Sequence, residues 1–156
     1  LGVLKEFDED IIGLNVDSKG NSAWRKRYMI LSKNHKEAIP LELYGDGMKK
    51  AILLMSAVIA SKNGILLIDE FETSIHTSAM NKIFLWILST AVKLNIQLFI
   101  TSHSKEAIDK ALKCDPTLQD KMNLYTLYKK DDSTLTRKLS CYEAIEAMDD
   151  YDIEVR

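Results

Sequence analysis

Two adjacent acids, Asp69 and Glu70, directly follow the apolar run Ile65–Ile68. Four consecutive large aliphatic residues without polar alternation predict a strand buried on both faces, as in the centre of a parallel α/β sheet. Ligands bind beyond the carboxyl ends of such strands, so this strand would deliver both carboxylates to the ligand crevice. One carboxylate can hold Mg²⁺ or its water while the other orients an attacking water. The pair suits a magnesium nucleotide, although acids at strand ends also cap helices or simply face water.

A glycine-rich stretch with basic residues, Gly45–Lys50, opens a predicted helix upstream of the acids. A helix N-terminus presents unpaired N–H groups and partial positive charge, and glycine allows close approach of a phosphate to the backbone. Gly47 and Lys49 are therefore candidates for phosphate binding, whereas Asp46 is assigned to capping the helix. The alternative is an ordinary helix start.

A third polar stretch, Thr101–Ser104, ends a second apolar strand. The imidazole of His103, if neutral near pH 7, can donate a hydrogen bond to a γ-phosphate and lose it after hydrolysis. A serine nucleophile beside His103 is disfavoured because adjacent strand residues point apart and no Gly-x-Ser-x-Gly elbow is present. Ser104 is instead predicted to cap the next helix.

The surrounding pattern alternates helices and strands and predicts an α/β fold, with a mostly parallel sheet flanked by helices and with peripheral β-hairpins. Asn63-Gly64 and Asn95 are expected to end two helices. Residues 39–44 are predicted to be extended, and strand, helix and strand over 65–101 predict a right-handed parallel crossover. The predicted helices cover 1–11, 48–62, 77–94, 105–113 and 141–148, and the predicted strands cover 11–16, 24–31, 65–68, 97–101, 122–128 and 135–139.

Together the three motifs resemble the C-terminal half of an ATP-binding-cassette-like ATPase head, a partial P-loop NTPase, over about residues 40–110. They are most similar to AAA-family ATPases related to SMC, RecF and OLD (overcoming lysogenisation defect) proteins. The stretch 45–50 occupies the place of the signature motif, which binds the γ-phosphate held by the opposite subunit. It differs from the cassette form because Gly45 stands where a serine is usual and Asp46 where a glycine is usual. By its position in this motif, Gly45 is implied as a nucleotide contact together with Gly47 and Lys49.

This resemblance also implies roles for the acids and the histidine. Asp69 corresponds to the Walker B aspartate, which holds Mg²⁺ through water, and Glu70 to the catalytic glutamate, which orients or deprotonates the hydrolytic water. His103 corresponds to the switch histidine, a second catalytic residue, with Ser102 among the cofactor-binding residues. The implied cofactors are ATP and Mg²⁺.

The residues after the acid pair, 69–76, fit the form D-E-x-E-x-x-I-H found in the OLD-like and RecF-like branch. Glu72 and His76 are therefore expected either at a subunit interface or in contact with the catalytic residues without touching the nucleotide themselves. Glu72 could instead cap the helix that begins near Thr77, and a lone His76 is poor support for a metal site.

The phosphate-cradling sequence G-x-x-x-x-G-K-[ST] does not occur in the chain, which opens with Leu1. We therefore expect a single domain, 1–156, that is the C-terminal lobe of a longer ATPase. Its expected parts are a peripheral helix and hairpin (1–40), the core with the three motifs (41–113) and a C-terminal hairpin and helix (114–156). The expected partners are the missing N-terminal lobe and, through ATP, a second copy. The chain alone is expected to be inactive.

Composition excludes few functions. The chain has 156 residues with 21 basic and 23 acidic side chains, a formal net charge of -2, so no global positive field attracts nucleic acid. The basic run Arg25–Arg27 is either a local contact or a solvated strand edge. Cys114 and Cys141 lack metal-like spacing and are expected to be reduced thiols in a cytoplasmic protein. No apolar run is long enough for a membrane span.

The expected function is ATP hydrolysis by a dimerising head, in DNA repair or phage defence. Two alternatives stay open at this point. One is an interaction module that has kept the sheet but lost the chemistry. The other is the ATPase part of an OLD-type nuclease, which requires acidic motifs that the sequence after Tyr128 does not supply in a strand-end setting.

Overall fold

The computed structural model describes residues 2–17, 27–73 and 75–151. The first residues of the predicted strand 24–31, with the basic residues Arg25 and Lys26, lie outside this part of the chain. The strands are β1 (Ile11–Asp17), β2 (Arg27–Ser32), β3 (Ile39–Pro40), β4 (Ile65–Ile68), β5 (Gln97–Ile100), β6 (Asn123–Lys130) and β7 (Ser133–Ser140), and the helices are α1 (Asp46–Ala60), α2 (Thr77–Lys93), α3 (Lys105–Lys113) and α4 (Cys141–Tyr151).

The strands that carry the acids and the histidine are hydrogen-bonded neighbours. β4 pairs with β5 in parallel, in a register that runs from Ile65 opposite Gln97 to Ile68 opposite Ile100. The connection between them is α2, which gives the expected parallel crossover. β1, β2 and β3 form an antiparallel sheet, and β6 and β7 form an antiparallel ribbon. The α/β class with peripheral hairpins is confirmed.

The main core lies between the β4–β5 sheet and helices α1 and α2. Phe71, just after β4, is fully buried, and its ring stacks on Phe84 of α2 with centroids 3.9 Å apart. Burial in α2 recurs at three- and four-residue spacing, as in an amphipathic helix with one face toward the core. The buried residues of this core are Val3, Ala51, Leu54, Val58, Ile68, Phe71, Ile75, Ala79, Met80, Ile83, Phe84, Ile87 and Ala107.

The opposite face of the β4–β5 sheet is exposed within the described part of the chain. Ile65 is 63% exposed, Leu67 is 74% exposed and Phe99 is 47% exposed. The prediction that these strands are buried on both faces is therefore wrong for this structure. The run Ile65–Ile68 is apolar on both faces, but only one of these faces packs against apolar side chains of the described residues.

Three local predictions also differ from the structure. Instead of a helix over 1–11, the chain forms a short 3₁₀ helix at Leu4–Glu6, because the Asp8 carboxylate accepts from the Asp10 N–H at 3.0 Å and favours a turn into β1. A second 3₁₀ helix, Leu41–Leu43, interrupts the predicted extended segment. After α1 the left-handed residue is Asn63, with φ of 57°, and not the glycine that follows it.

The C-terminal part packs on the end of α3. Leu124 and Leu139, at the base of the β6–β7 ribbon, pack against a buried cluster that includes Leu112 of α3 and Cys141 of α4. The ribbon turns through the two-residue loop 131–132, with Asp131 at φ of 53°, as expected for a tight hairpin. Within the described residues, no helix combines the length and apolar character that crossing a membrane requires.

Candidate functional site

Thr101 ties the two strand ends together. Its backbone N–H donates to Ile68 O at 2.9 Å, which extends the parallel ladder by one step. Its hydroxyl donates to the Asp69 carboxylate and accepts from the Glu70 N–H at 3.0 Å. Thr101 therefore fixes both predicted acids, a role that the sequence did not reveal because its partners lie on another strand.

Glu70 occupies a backbone conformation that is uncommon for a residue with a side chain. Its φ is 46°, in the left-handed region, where most non-glycine residues are strained. Besides the Thr101 contact, its carbonyl accepts from Lys50 Nζ at 2.9 Å and its carboxylate accepts from the Thr73 hydroxyl at 3.4 Å. These contacts hold a sharp turn that leaves the Glu70 side chain exposed at the end of β4.

Lys50 links the signature-like helix to this turn. It lies in the first part of α1, next to the predicted phosphate contact Lys49, and its ammonium reaches the Glu70 carbonyl. Sequence reasoning gave Lys50 no role, since two adjacent lysines at a helix start carry no signal of which one faces inward. The contact connects the two motifs that the resemblance treats as separate.

Glu72 joins the turn after β4 to the turn after β5. Its Oε1 accepts from the His103 N–H at 2.8 Å, and its Oε2 is buried without a hydrogen-bond partner among the described residues. Burial acts to raise the pKa of Glu72, but backbone N–H groups, the nearby Ser102 hydroxyl and His103 together outweigh burial and lower it. Glu72 therefore lies at this edge as a carboxylate.

The alternative prediction that Glu72 caps the following helix is wrong. His76 is the N-cap of α2, and its Nδ1 accepts from the Ser78 N–H at 3.3 Å. The Glu72 carboxylate instead accepts a hydrogen bond from the His103 N–H in the turn after β5. His76 thus has a local capping function in this chain.

His103 and its neighbours form the turn between β5 and α3. The His103 side chain is exposed, and Ser102 Oγ accepts from the Ser104 N–H at 3.1 Å. Ser104 Oγ accepts from the Ala107 N–H at 3.2 Å, which confirms the predicted cap of α3. Glu70 and His103 therefore extend from neighbouring strand ends at one edge of the sheet, and neither is sealed in the core.

The start of α1 holds the remaining predicted residues. Gly45 is the N-cap, without a side-chain cap, so the prediction that Asp46 caps this helix is wrong. Asp46 lies one residue inside the helix, where its carboxylate pairs with Lys49 Nζ at 3.1 Å. A Cβ added at Gly45 would meet nothing within 4 Å, so this helix end faces open space. Gly47 lies in the same first turn.

The part of the sequence that carries the acids, the histidine and the glycine-rich helix start matches a known family. A family model described as "AAA domain, putative AbiEii toxin, Type IV TA system" matches residues 3–109. The chain belongs to this AAA-domain family. The α/β core with its three motifs lies mostly inside the matched range, whereas the β6–β7 ribbon and α4 lie outside it.

Two relatives match part of this chain. An ATP/GTP phosphatase of Helicobacter pylori is 29% identical over 109 residues, which cover 68% of the chain and 28% of that protein. An uncharacterized protein of Methanocaldococcus jannaschii is 35% identical over 65 residues, which cover 42% of the chain and 57% of that protein. The chain thus spans between about a quarter and somewhat more than half of these relatives.

The fold of the AAA domain is also that of a solved ATPase head. A structure from a study of ATP-driven dimerization and DNA-stimulated activation of SMC ATPases superposes with a TM-score of 0.66 at 10% identity. The match covers 97% of this chain and 88% of the other. The chain therefore has a P-loop NTPase-like fold.

The residues of the AAA domain fit Mg²⁺ that arrives with a nucleotide. Among the residues that the structure describes, no group of three or more His, Cys, Asp or Glu side chains could hold a metal ion alone. Mg²⁺ keeps several waters and commonly takes one or two carboxylates together with substrate phosphates. Asp69, oriented by the Thr101 hydroxyl, supplies one such carboxylate.

Proposed function

We propose that this chain is the C-terminal lobe of a head that binds and hydrolyses ATP. The observation that supports this most directly is the Thr101 hydroxyl, which joins Asp69 to the Glu70 backbone at the edge where His103 is exposed. In this proposal Asp69 holds the hydrated Mg²⁺ and Ser102 contributes to the nucleotide contacts. The Mg²⁺ would supply charge neutralisation for the transferred phosphoryl group.

In this proposal Glu70 activates the hydrolytic water. Its carboxylate is exposed, so a water can reach it, and as an acceptor it can orient that water and take its proton. The left-handed backbone at Glu70, held by Thr101 and Lys50, fixes the direction of this side chain. His103 is proposed to bind the γ-phosphate through a hydrogen bond that its ring N–H donates.

The uncovered sheet face supports a role for a second lobe of the same protein. Ile65, Leu67 and Phe99 present apolar side chains on this face, and exposed apolar patches mark interaction sites. The sequence also contains no phosphate-cradling loop. An N-terminal lobe that covers the face and supplies the loop satisfies both observations.

Calorimetry tests the division into lobes. Mg-ATP titrated into this chain alone should give no binding in the micromolar range, whereas the intact protein should bind. Micromolar binding by the isolated chain would contradict the proposal that the cradle lies elsewhere. Failure of the intact protein to bind would contradict the nucleotide site itself.

The start of α1 supports dimerisation on ATP. Gly45, Gly47 and Lys49 lie at a helix N-terminus that faces open space, where a γ-phosphate held by a second head can approach. A Glu70→Gln variant of the intact protein should accumulate the ATP-bound dimer because hydrolysis is blocked. Light scattering should then show a dimer with Mg-ATP and a monomer without it, and a monomer under both conditions would contradict the proposal.

The biological setting is proposed from the family. Its description names a toxin and a type IV toxin–antitoxin system, which favours phage defence over DNA repair for the intact protein. ATP-driven head closure would then drive an effector. Loss of protection against phage in a Glu70→Gln strain, with repair of DNA damage unchanged, is the expected result, and the reverse pattern would favour repair.

A further inference from the structure

The β6–β7 ribbon combines exposed rings with positive charge, and nothing in the nucleotide chemistry uses it. Directly paired residues of an antiparallel ribbon lie on the same face. Tyr125 pairs with Lys138, Leu127 with Thr136 and Lys129 with Thr134, so one face carries Tyr125, Leu127, Lys129 and Lys138. We call this the outer face.

The outer face is open over residues 125–129 and 134–138. Tyr125 is 56% exposed and Leu127 is 62% exposed. On the other face, Leu124 and Leu139 pack against α3 and α4. Lys138 Nζ lies 5.9 Å from the centroid of the Tyr125 ring, so a cation and an aromatic ring are neighbours on this face.

The charge of the ribbon contrasts with that of the chain. Residues 123–140 contain four basic side chains, and their two acids lie together in the loop at the tip, whereas the whole chain has a formal net charge of -2. Among the described residues, none of these four cations has a carboxylate within ion-pair distance. The two lysines of the outer face, Lys129 and Lys138, are therefore available to an anionic partner.

We propose that the outer face binds single-stranded nucleic acid. Proteins that bind single strands combine cations that follow the phosphate backbone with exposed aromatic rings on which bases stack. Tyr125 supplies the ring, and Lys129 and Lys138 supply cations on the same face. A duplex offers phosphates but keeps its bases stacked on each other, so the exposed ring favours the single strand.

Fluorescence anisotropy of a labelled oligo-dT with the full chain tests this assignment. Tyr125→Ala should weaken binding about 5- to 150-fold, the range expected from the loss of one stacked base. Tyr125→Phe keeps the ring and should bind like the wild type. Tyr128→Ala removes a ring that is 47% exposed on the opposite face of the ribbon and should have little effect.

The salt dependence tests the charged contacts. The double variant Lys129→Ala/Lys138→Ala should reduce the slope of log affinity against log salt by about 1.4, the value for two phosphate contacts to a single strand. The matched control, Lys62→Ala/Lys93→Ala, removes the same charge from exposed positions elsewhere and should keep the slope. Circular dichroism melts establish that each variant is folded.

Three results would overturn the proposal. The first is the absence of oligo-dT binding by the wild type at low salt, which would leave this face to a protein partner. The second is equal binding of a duplex of the same length, which would exclude stacking on Tyr125. The third is an equal loss of affinity in the outer-face double variant, Lys129→Ala/Lys138→Ala, and in its control, Lys62→Ala/Lys93→Ala. None of these measurements needs ATP, so their outcome is independent of the proposed hydrolysis.

Discussion

The hydroxyl of Thr101 donates to the carboxylate of Asp69 across two parallel strands. The two residues are 32 positions apart in the sequence, and the contact exists because β4 and β5 are neighbours in register. The same hydroxyl accepts from the Glu70 N–H, so one side chain orients the proposed metal ligand and the proposed base together.

Replacement of Thr101 by valine removes this hydroxyl at nearly constant volume. We expect a loss of unfolding free energy of about 0.5–1.5 kcal/mol, the usual contribution of a hydrogen bond. We also expect ATP turnover by the intact protein to fall about 10- to 100-fold, as when a residue that orients a metal ligand is removed. Urea unfolding and phosphate release measure the two effects. Thr101→Ser retains the hydroxyl and should retain most activity, and wild-type turnover in the valine variant would contradict the orienting role.

Lys50→Met removes the 2.9 Å hydrogen bond to the Glu70 carbonyl while keeping the aliphatic stem. The strained turn at Glu70 then loses one of its supports, so turnover of the intact protein should fall while the chain stays folded. Lys62→Met, at an exposed position just after α1, is the matched control and should behave like the wild type. Equal turnover in the two variants would show that Lys50 does not position Glu70.

Glu72 predicts a pH dependence of stability. Its pKa is lower in the folded chain than its ordinary value of 4.5, so the folded state favours its carboxylate. This contribution to stability is present above the unfolded-state pKa and is lost as the pH falls through the folded-state pKa. Glu72→Gln should therefore be less stable than the wild type at neutral pH, with a difference that shrinks below about pH 4.5. Urea midpoints over this range measure it, and a difference that is constant with pH would contradict the assignment.

Cys114 is predicted to be a poor nucleophile. Burial, with the adjacent Asp115 carboxylate, raises its pKa to about 11. Burial also raises the pKa of Cys141. Iodoacetamide reacts with the thiolate, so alkylation of the folded chain at about pH 8 should be slow and should accelerate strongly toward pH 11. Mass spectrometry locates the label, and the urea-unfolded chain is the control. Rapid labelling of folded Cys114 would show that the thiol is more exposed than in this structure.

Local patterns predicted helices α1 to α4 and the C-terminal hairpin, because their signals lie within a few residues, but they wrongly predicted a helix over 1–11. Ser104 marked the start of α3, and the predicted strands 122–128 and 135–139 lie within β6 and β7 apart from Met122. The contacts of Lys50 and Thr101 with Glu70 could not be predicted, since they join residues 20 and 31 positions apart. The exposure of Leu67 could not be predicted either, because an apolar run does not reveal what covers its second face.

Steady-state phosphate release from Mg-ATP by the intact protein tests the central claim most directly, with Glu70→Gln compared with the wild type. Glu146→Gln, an exposed acid on α4, is the matched control and should leave turnover unchanged. We predict that Glu70→Gln lowers turnover at least about 100-fold, as expected when a general base is lost, while Mg-ATP still binds. Turnover equal to that of the wild type would contradict the assignment of Glu70 and favour an interaction module that does not hydrolyse ATP.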